Sequence, residues 1–312
     1  MSNQAERTPL RHRLEMVGVN TAGLILRLLP FGLALRLMRG IGLCAGVVFR
    51  IRRATVDHNL ALAFPQESAS ARRAIARGAY GHLAEQAGVL LRMAYDDAAL
   101  DEIVGGVVLA DDETPQVVQW LQERHREGQG TLLLMGHFGN WEIAASSVCQ
   151  IGVPLFAVAT TQSNREFDKR LSSMRSRFGL QVIPRNDAKT DVPRALSAGK
   201  TVRLVADQFT WDGTPVTFFG EPTLGARGPA VFARRAKVPV VFMSLVAQEK
   251  GLAKYMLHLQ RMQVSEQLSG RRSTELLTQA YFDQLEVMIR RHPEQYLWHL
   301  SLIHISEPTR LQ

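Results

Sequence analysis

Thr131-Leu132-Leu133-Leu134-Met135-Gly136-His137-Phe138-Gly139-Asn140-Trp141-Glu142-Ile143-Ala144-Ala145 reads as a strand, a loop and a helix in succession. The apolar run 131–135 follows Gly128 and Gly130 and predicts a short buried strand. Trp141 to Ala145 predicts a first helical turn, with Asn140 as its cap and Glu142 favoured there by the positive end of the helix dipole. A histidine at a strand end, glycines around it and a carboxylate in the next first turn together make an active-site geometry.

The same alternation continues outward. Helices are expected over about 14–53, 69–95 and 115–127, followed by strand 131–135, helix 141–150, strand 154–159, helix 164–178, strand 180–184, helix 189–198 and strand 201–206. Strand 216–219, helix 228–237, strands 239–247 and 254–261 and a long helix 272–291 complete the reading. Strands alternating with helices predict an α/β fold: a mixed, largely parallel sheet covered by helices on both faces, with the late strand pair as an antiparallel edge. Ligands of such sheets gather at the carboxyl ends of the strands, where His137 and Asp207 both fall.

An imidazole at that edge can take a proton from an attacking hydroxyl and return it later. Glu142 is expected to hydrogen-bond the other ring nitrogen, fixing the tautomer and stabilising the imidazolium, as in the base-plus-orienter half of a triad. The nucleophile half is missing. There is no Gly-x-Ser-x-Gly elbow, and Cys44 and Cys149 sit in no comparable motif. The substrate's own hydroxyl is therefore expected to attack, with N–H groups of the Phe138–Asn140 loop facing the oxyanion. Phe138 interrupts any His-Glu-x-x-His zinc spacing, so no metal is expected, and no Gly-rich nucleotide loop points to a nucleotide cofactor.

Gly136 to Glu142 resembles the His-x4-Asp/Glu block of the glycerolipid acyltransferase superfamily, and His-x-Gly-Asn-Trp-Glu is similar to its bacterial lauroyl/myristoyl branch, which acylates lipid A precursors. Asn59-Leu60-Ala61-Leu62-Ala63-Phe64-Pro65, Asp207-Gln208, Phe218-Phe219-Gly220 and Pro293-Glu294-Gln295-Tyr296-Leu297-Trp298 follow in the expected order. The likeness spans roughly residues 40–298. It implies a fold like that of glycerol-3-phosphate acyltransferase, with His137 as general base and Glu142 as its dyad partner. It also implies Arg175 near substrate phosphate or the acyl carrier and Asp207 as an acidic residue beside the dyad. Gly139, Asn140 and Gln208 are expected to join Arg175 and Asp207 in binding substrate.

Composition is consistent with an enzyme of lipids. The 312 residues suffice for one α/β domain, and two cysteines offer no disulfide framework. The formal net charge is +8, and residues 1–58 hold nine arginines against Glu6, Glu15 and Asp57. This segment is also apolar, yet its longest uncharged runs fall short of the ~18 residues of a membrane span. Residues 31–53 predict one basic amphipathic helix, with Arg36, Arg39, Arg50 and Arg53 in a single arc, suited to an anionic membrane surface. Nucleic acid is not an expected partner: the excess arginine lies on an apolar segment without a reading motif.

The expected organisation is a membrane-associating segment over 1–58, an acyltransferase domain over 59–298, and a tail over 299–312 that departs from the family and resembles a translated sequencing adapter. The expected activity is O-acyl transfer from an acyl carrier protein or coenzyme A thioester, acting as co-substrate, to a hydroxyl of a lipid A precursor at the cytoplasmic face of the inner membrane. Phe138, Trp141 and Phe209 are expected along the acyl channel. The alternatives are an acceptor among lysophospholipids, glycolipids or ornithine-type lipids, a hydrolase, and a catalytically idle lipid-binding protein.

Overall fold

A computed structural model describes residues 10–249, 254–263 and 270–300. Five helices come first: α1 (Leu10–Leu28), α2 (Phe31–Val47), α3 (Arg53–Ala63), α4 (Ala69–Tyr95) and α5 (Asp97–Gly105). The alternating core follows as β1 (Val108–Leu109), α6 (Thr114–Arg126), β2 (Thr131–Met135), α7 (Trp141–Gln150), β3 (Leu155–Ala159), α8 (Arg165–Ser176), β4 (Gln181–Pro184), α9 (Ala188–Ser197) and β5 (Thr201–Val205). Then come β6 (Thr214–Phe218), β7 (Glu221–Gly225), α10 (Gly228–Ala236), β8 (Val240–Ala247), β9 (Tyr255–Arg261) and α11 (Gly270–Arg291).

Seven strands form the main sheet in the order β1-β9-β8-β2-β5-β3-β4. β8, β2, β5, β3 and β4 run parallel and β9 pairs antiparallel with β8, but the edge itself is β1, which lies outside β9 and runs parallel to it. The strand expected over 216–219 falls outside this sheet: among the described residues β6 pairs with β7, in a separate hairpin that packs on α11. β1 and β7 were not read from sequence, since two residues or an alternation broken by Pro222 give little periodic signal.

Both faces of the sheet are covered, which is why the central strands are apolar without alternation. Leu132, Leu134, Val202, Leu204 and Phe242 face α9, α10 and α11. Leu133, Met135, Ala157, Val241 and Met243 face α5 to α8, where Ala144 and Ala145 let α7 lie close. A fully buried leucine or isoleucine contributes roughly 1.5–3 kcal/mol, so these two layers fix the position of the β2–α7 loop between them.

The N-terminal helices lie outside that sandwich, packed on α4. Gly42 makes the approach possible, because a Cβ there would sit 2.2 Å from the Tyr80 carbonyl oxygen. The single helix expected over 31–53 is instead broken. α2 ends at Val47, Arg50 and Arg52 adopt φ of 52° and 51°, and α3 starts at Arg53. The turn lets α3 bury Val56 and Leu60 in the core. It also dissolves the basic arc: Arg39 turns to Glu85 at 3.3 Å and Arg53 to Asp57 at 2.8 Å. At the other end His299 is buried and its carbonyl accepts from Arg52, whereas residues 301–312 of the expected tail lie outside the described residues.

Candidate active site

β2 ends at Met135, and the chain turns through Gly136–Asn140 into α7, which brings His137 to the carboxyl edge of the sheet. β5, the neighbour of β2, ends at Val205, and its continuation carries Asp207 to the same edge. The Asp207 carboxylate grips His137 twice: the backbone N–H donates to Oδ2 at 2.7 Å, and ring Nδ1 lies 2.7 Å from Oδ1. The Tyr296 hydroxyl donates to Oδ2 at 3.0 Å. Burial pushes the Asp207 carboxyl up, but the His137 ring, the His137 N–H and Tyr296 outweigh it and hold the group below its ordinary value. An ionised carboxylate can only accept, so Nδ1 is the donor, and Nε2 of the neutral ring keeps its lone pair. Trp141 packs edge-on against the imidazole, with ring centroids 5.3 Å apart.

Glu142 does not take the place expected of it. Its carboxylate is held by Arg175 on α8 in a two-pronged pair, Nε to Oε2 at 2.9 Å and Nη2 to Oε1 at 2.7 Å. Both side chains are buried, with 9% and 10% exposed. The physical reason for the correction is direct: Asp207 already occupies Nδ1, and the first turn of α7 sets Glu142 against α8. Burial pushes Glu142 up, yet Arg175 and then Arg203 pull it below its ordinary value. Burial lowers Arg175, and Glu142 more than restores it.

Two further residues expected at substrate are committed to the fold. The Gly139 N–H donates to the Gln295 carbonyl at 2.9 Å, so it is not a free oxyanion donor. Its φ of +61° and the Leu245 oxygen, 1.7 Å from where a Cβ would sit, admit only glycine there. Asn140 caps α7 as expected, accepting from the N–H groups of Glu142 and Ile143 at 3.2 and 3.0 Å. Its Nδ2 donates to Gln86 Oε1 at 2.8 Å, inside a buried group that includes Tyr255 and His82. Burial pushes the His82 imidazole down to about 4, against a hydrogen bond to the Gly139 backbone.

A cleft of about 330 Å³ opens at this edge, lined by His137, Trp141, Glu142, Arg175, Arg203 and Gln208 among others. Phe138, expected along an acyl channel, is instead buried in the core, and Phe209 packs edge-on against Trp211, with ring centroids 4.9 Å apart. Arg203 and Tyr296 were not given a role from sequence. Arg203 left a signal, a charge in the middle of the otherwise uncharged strand Thr201–Val205. Tyr296 left none of its own. Among the described residues no cluster of three His, Cys, Asp or Glu side chains could hold a metal ion.

A family profile described as bacterial lipid A biosynthesis acyltransferase matches residues 6–303. The chain is similar to the lipid A biosynthesis myristoyltransferase of Escherichia coli strain K12, at 24% identity over 87% of this chain and 81% of that protein. It is also similar to the phosphatidylinositol mannoside acyltransferase of Mycobacterium tuberculosis strain H37Rv, at 26% identity over 68% of this chain and 64% of that protein, less than two thirds of the relative's length. The profile takes in every strand and helix described above, and on that ground the chain is an acyltransferase and belongs to the bacterial lipid A biosynthesis acyltransferase family.

Proposed function

We propose that the protein transfers a fatty acyl group directly from a thioester, carried by acyl carrier protein or coenzyme A, to a hydroxyl of a lipid A precursor. The observation that carries this reading is the His137–Asp207 contact of 2.7 Å at the wall of the cleft. With Nδ1 held, Nε2 takes the acceptor's hydroxyl proton as the oxygen attacks the thioester carbonyl. The C–S bond then breaks, and the leaving thiolate recovers that proton from the imidazolium. Asp207 stays ionised throughout and stabilises the cation beside it. In this reading Asp207, not Glu142, is the orienter, and Glu142 fixes Arg175 at the cleft wall.

The N-terminal helices hold the enzyme against an anionic membrane, on the cytoplasmic face of the inner membrane where its amphiphilic acceptor lies. Of the 17 exposed large apolar side chains among the described residues, 13 fall between Leu10 and Ile51. Arg11, Arg13, Arg27, Arg36, Arg50 and Arg52 are exposed in the same segment. Apolar and cationic groups exposed together favour binding in the headgroup region. No described helix is long and apolar enough to cross a bilayer.

A second reading of the acceptor, a glycolipid, is favoured by the relatives named as phosphatidylinositol mannoside acyltransferases. Lysophospholipid and ornithine-type acceptors belong to the same class of reaction. The test is purified protein with acyl carrier protein thioester and each acceptor, read by lipid mass spectrometry. An acylated lipid A precursor is the expected product. Thioester cleavage to free fatty acid alone would make the protein a hydrolase, and no thioester consumption would make it an idle lipid-binding protein.

A further inference from the structure

Tyr296 lies beyond α11 and outside the wall of the cleft, yet two routes tie it to His137. Only 3% of the residue is exposed, and its ring packs edge-on against Trp298, with centroids 5.1 Å apart. The hydroxyl donates to Asp207 Oδ2 at 3.0 Å, the oxygen that also accepts from the His137 N–H at 2.7 Å. The backbone of Tyr296 forms an antiparallel bridge with Phe138. On one side of that bridge the Gln295 carbonyl accepts from the Gly139 N–H at 2.9 Å; on the other the Leu297 N–H donates to the His137 carbonyl at 3.0 Å. These bonds close a ring, from His137 through Asp207, Tyr296 and Leu297 back to His137. The segment is itself anchored on both flanks. The Gln295 side chain pairs with the Ala247 N–H and carbonyl at the end of β8, each at 2.9 Å, and Asn59 Nδ2 on α3 donates to the Trp298 carbonyl at 2.8 Å. Burial, and then the Asp207 charge, push the Tyr296 phenol well above its ordinary value. It therefore stays a donor and takes no proton from a substrate.

We propose that Tyr296 is a positioning residue for proton transfer, acting through Asp207 by fixing the carboxylate with Oδ1 on Nδ1 of His137. The inference rests on the reading of His137 as the base and adds the group that sets its orienter. An aspartate carboxylate turns freely about its last bond, because that torsion has broad wells. Two donors on Oδ2, one from the backbone and one from a buried ring, remove that freedom and leave Oδ1 for the imidazole. Sharing the negative charge among three donors also weakens its hold on the imidazolium, which must give its proton to the leaving thiolate.

The experiment compares the full chain with Tyr296→Phe, which removes one oxygen and keeps the ring, and with Tyr281→Phe. The Tyr281 hydroxyl is equally buried but donates to the Met135 carbonyl at 2.9 Å, so its loss controls for a missing core hydrogen bond. In Tyr296→Phe kcat is expected to fall about tenfold, the worth of one hydrogen bond to a charged group, with KM within about twofold. The acid limb of the kcat/KM profile is expected to move to higher pH, because a carboxylate with one donor fewer holds the imidazolium more tightly. The Nδ1 proton resonance of His137, read by NMR without substrate, is expected to move as well. Tyr281→Phe is expected to lose a similar thermal midpoint while its pH limb and Nδ1 resonance stay at wild-type values. A Tyr296→Phe protein with the wild-type limb and resonance, or equal shifts in both variants, overturns the inference. An Nδ1 resonance that responds to Tyr296→Phe in a protein without acyl transfer would count against the proposed function alone.

Discussion

Two buried carboxylates stand on either side of one cleft and hold different kinds of base. Asp207, just past the end of β5, holds an imidazole whose second nitrogen remains available. Glu142, in the first turn of α7, holds a guanidinium that cannot give up its proton. Burial pushes either carboxyl up, and each is held below its ordinary value by its own partners. A His-x4-Glu spacing thus brings two groups to one site without making them partners. Under the proposed function, proton transfer falls to the Asp207 side, while Glu142 fixes Arg175 at the cleft wall.

The largest losses are expected at His137 and Asp207. His137→Ala is expected to lower kcat by about 10²- to 10⁴-fold, and Asp207→Asn to approach the same loss, with circular dichroism of both unchanged. Near-normal turnover in Asp207→Asn would remove the assigned division of labour. On the other side, Glu142→Ala leaves Arg175 buried without its partner and is expected to cost about 3–5 kcal/mol of stability. Adding Arg175→Met should recover a large part of that in denaturant unfolding. If the single and double variants unfold alike, the pair is not what holds α7 to α8.

Gly139→Ala forces a left-handed residue into the Leu245 carbonyl and is expected to destabilise by about 3 kcal/mol. A stable Gly139→Ala protein would mean the loop has room to move. His82, behind that loop, is held down to about 4 by burial. The unfolded chain takes up its proton near pH 6.5 and the folded one does not, so stability falls as pH drops through this window. The expected loss from pH 7 to pH 5 is about 2 kcal/mol, and His82→Gln should flatten it in urea midpoints. Below about pH 4 the two depressed carboxyls add a further decline, because the unfolded chain protonates them first.

Much of this was legible in the sequence because it rests on local rules. The uncharged run of β2, the Asn140 cap and the strand–helix alternation depend on periodicity and capping, which neighbouring residues carry. The sheet order, which sets β5 beside β2 and so Asp207 beside His137, depends on contacts 70 residues apart. No spacing near His137 could reveal that. Arg36 to Arg53 looked like one helical arc, and the core's demand for Val56 and Leu60 broke it. The Phe138–Asn140 loop looked like a source of free N–H donors, but Gln295, from beyond α11, had already claimed Gly139. Arg203 was visible as a charge in an apolar strand, yet only the third dimension shows that it borders the cleft.

The most direct measurement is ¹⁵N NMR of the His137 ring in wild type, Asp207→Asn and Glu142→Gln. The Nδ1–H tautomer should be present in wild type and in Glu142→Gln, and should be lost or mixed in Asp207→Asn. A tautomer that survives Asp207→Asn and changes in Glu142→Gln would contradict the assignment of Asp207 as the partner of the base.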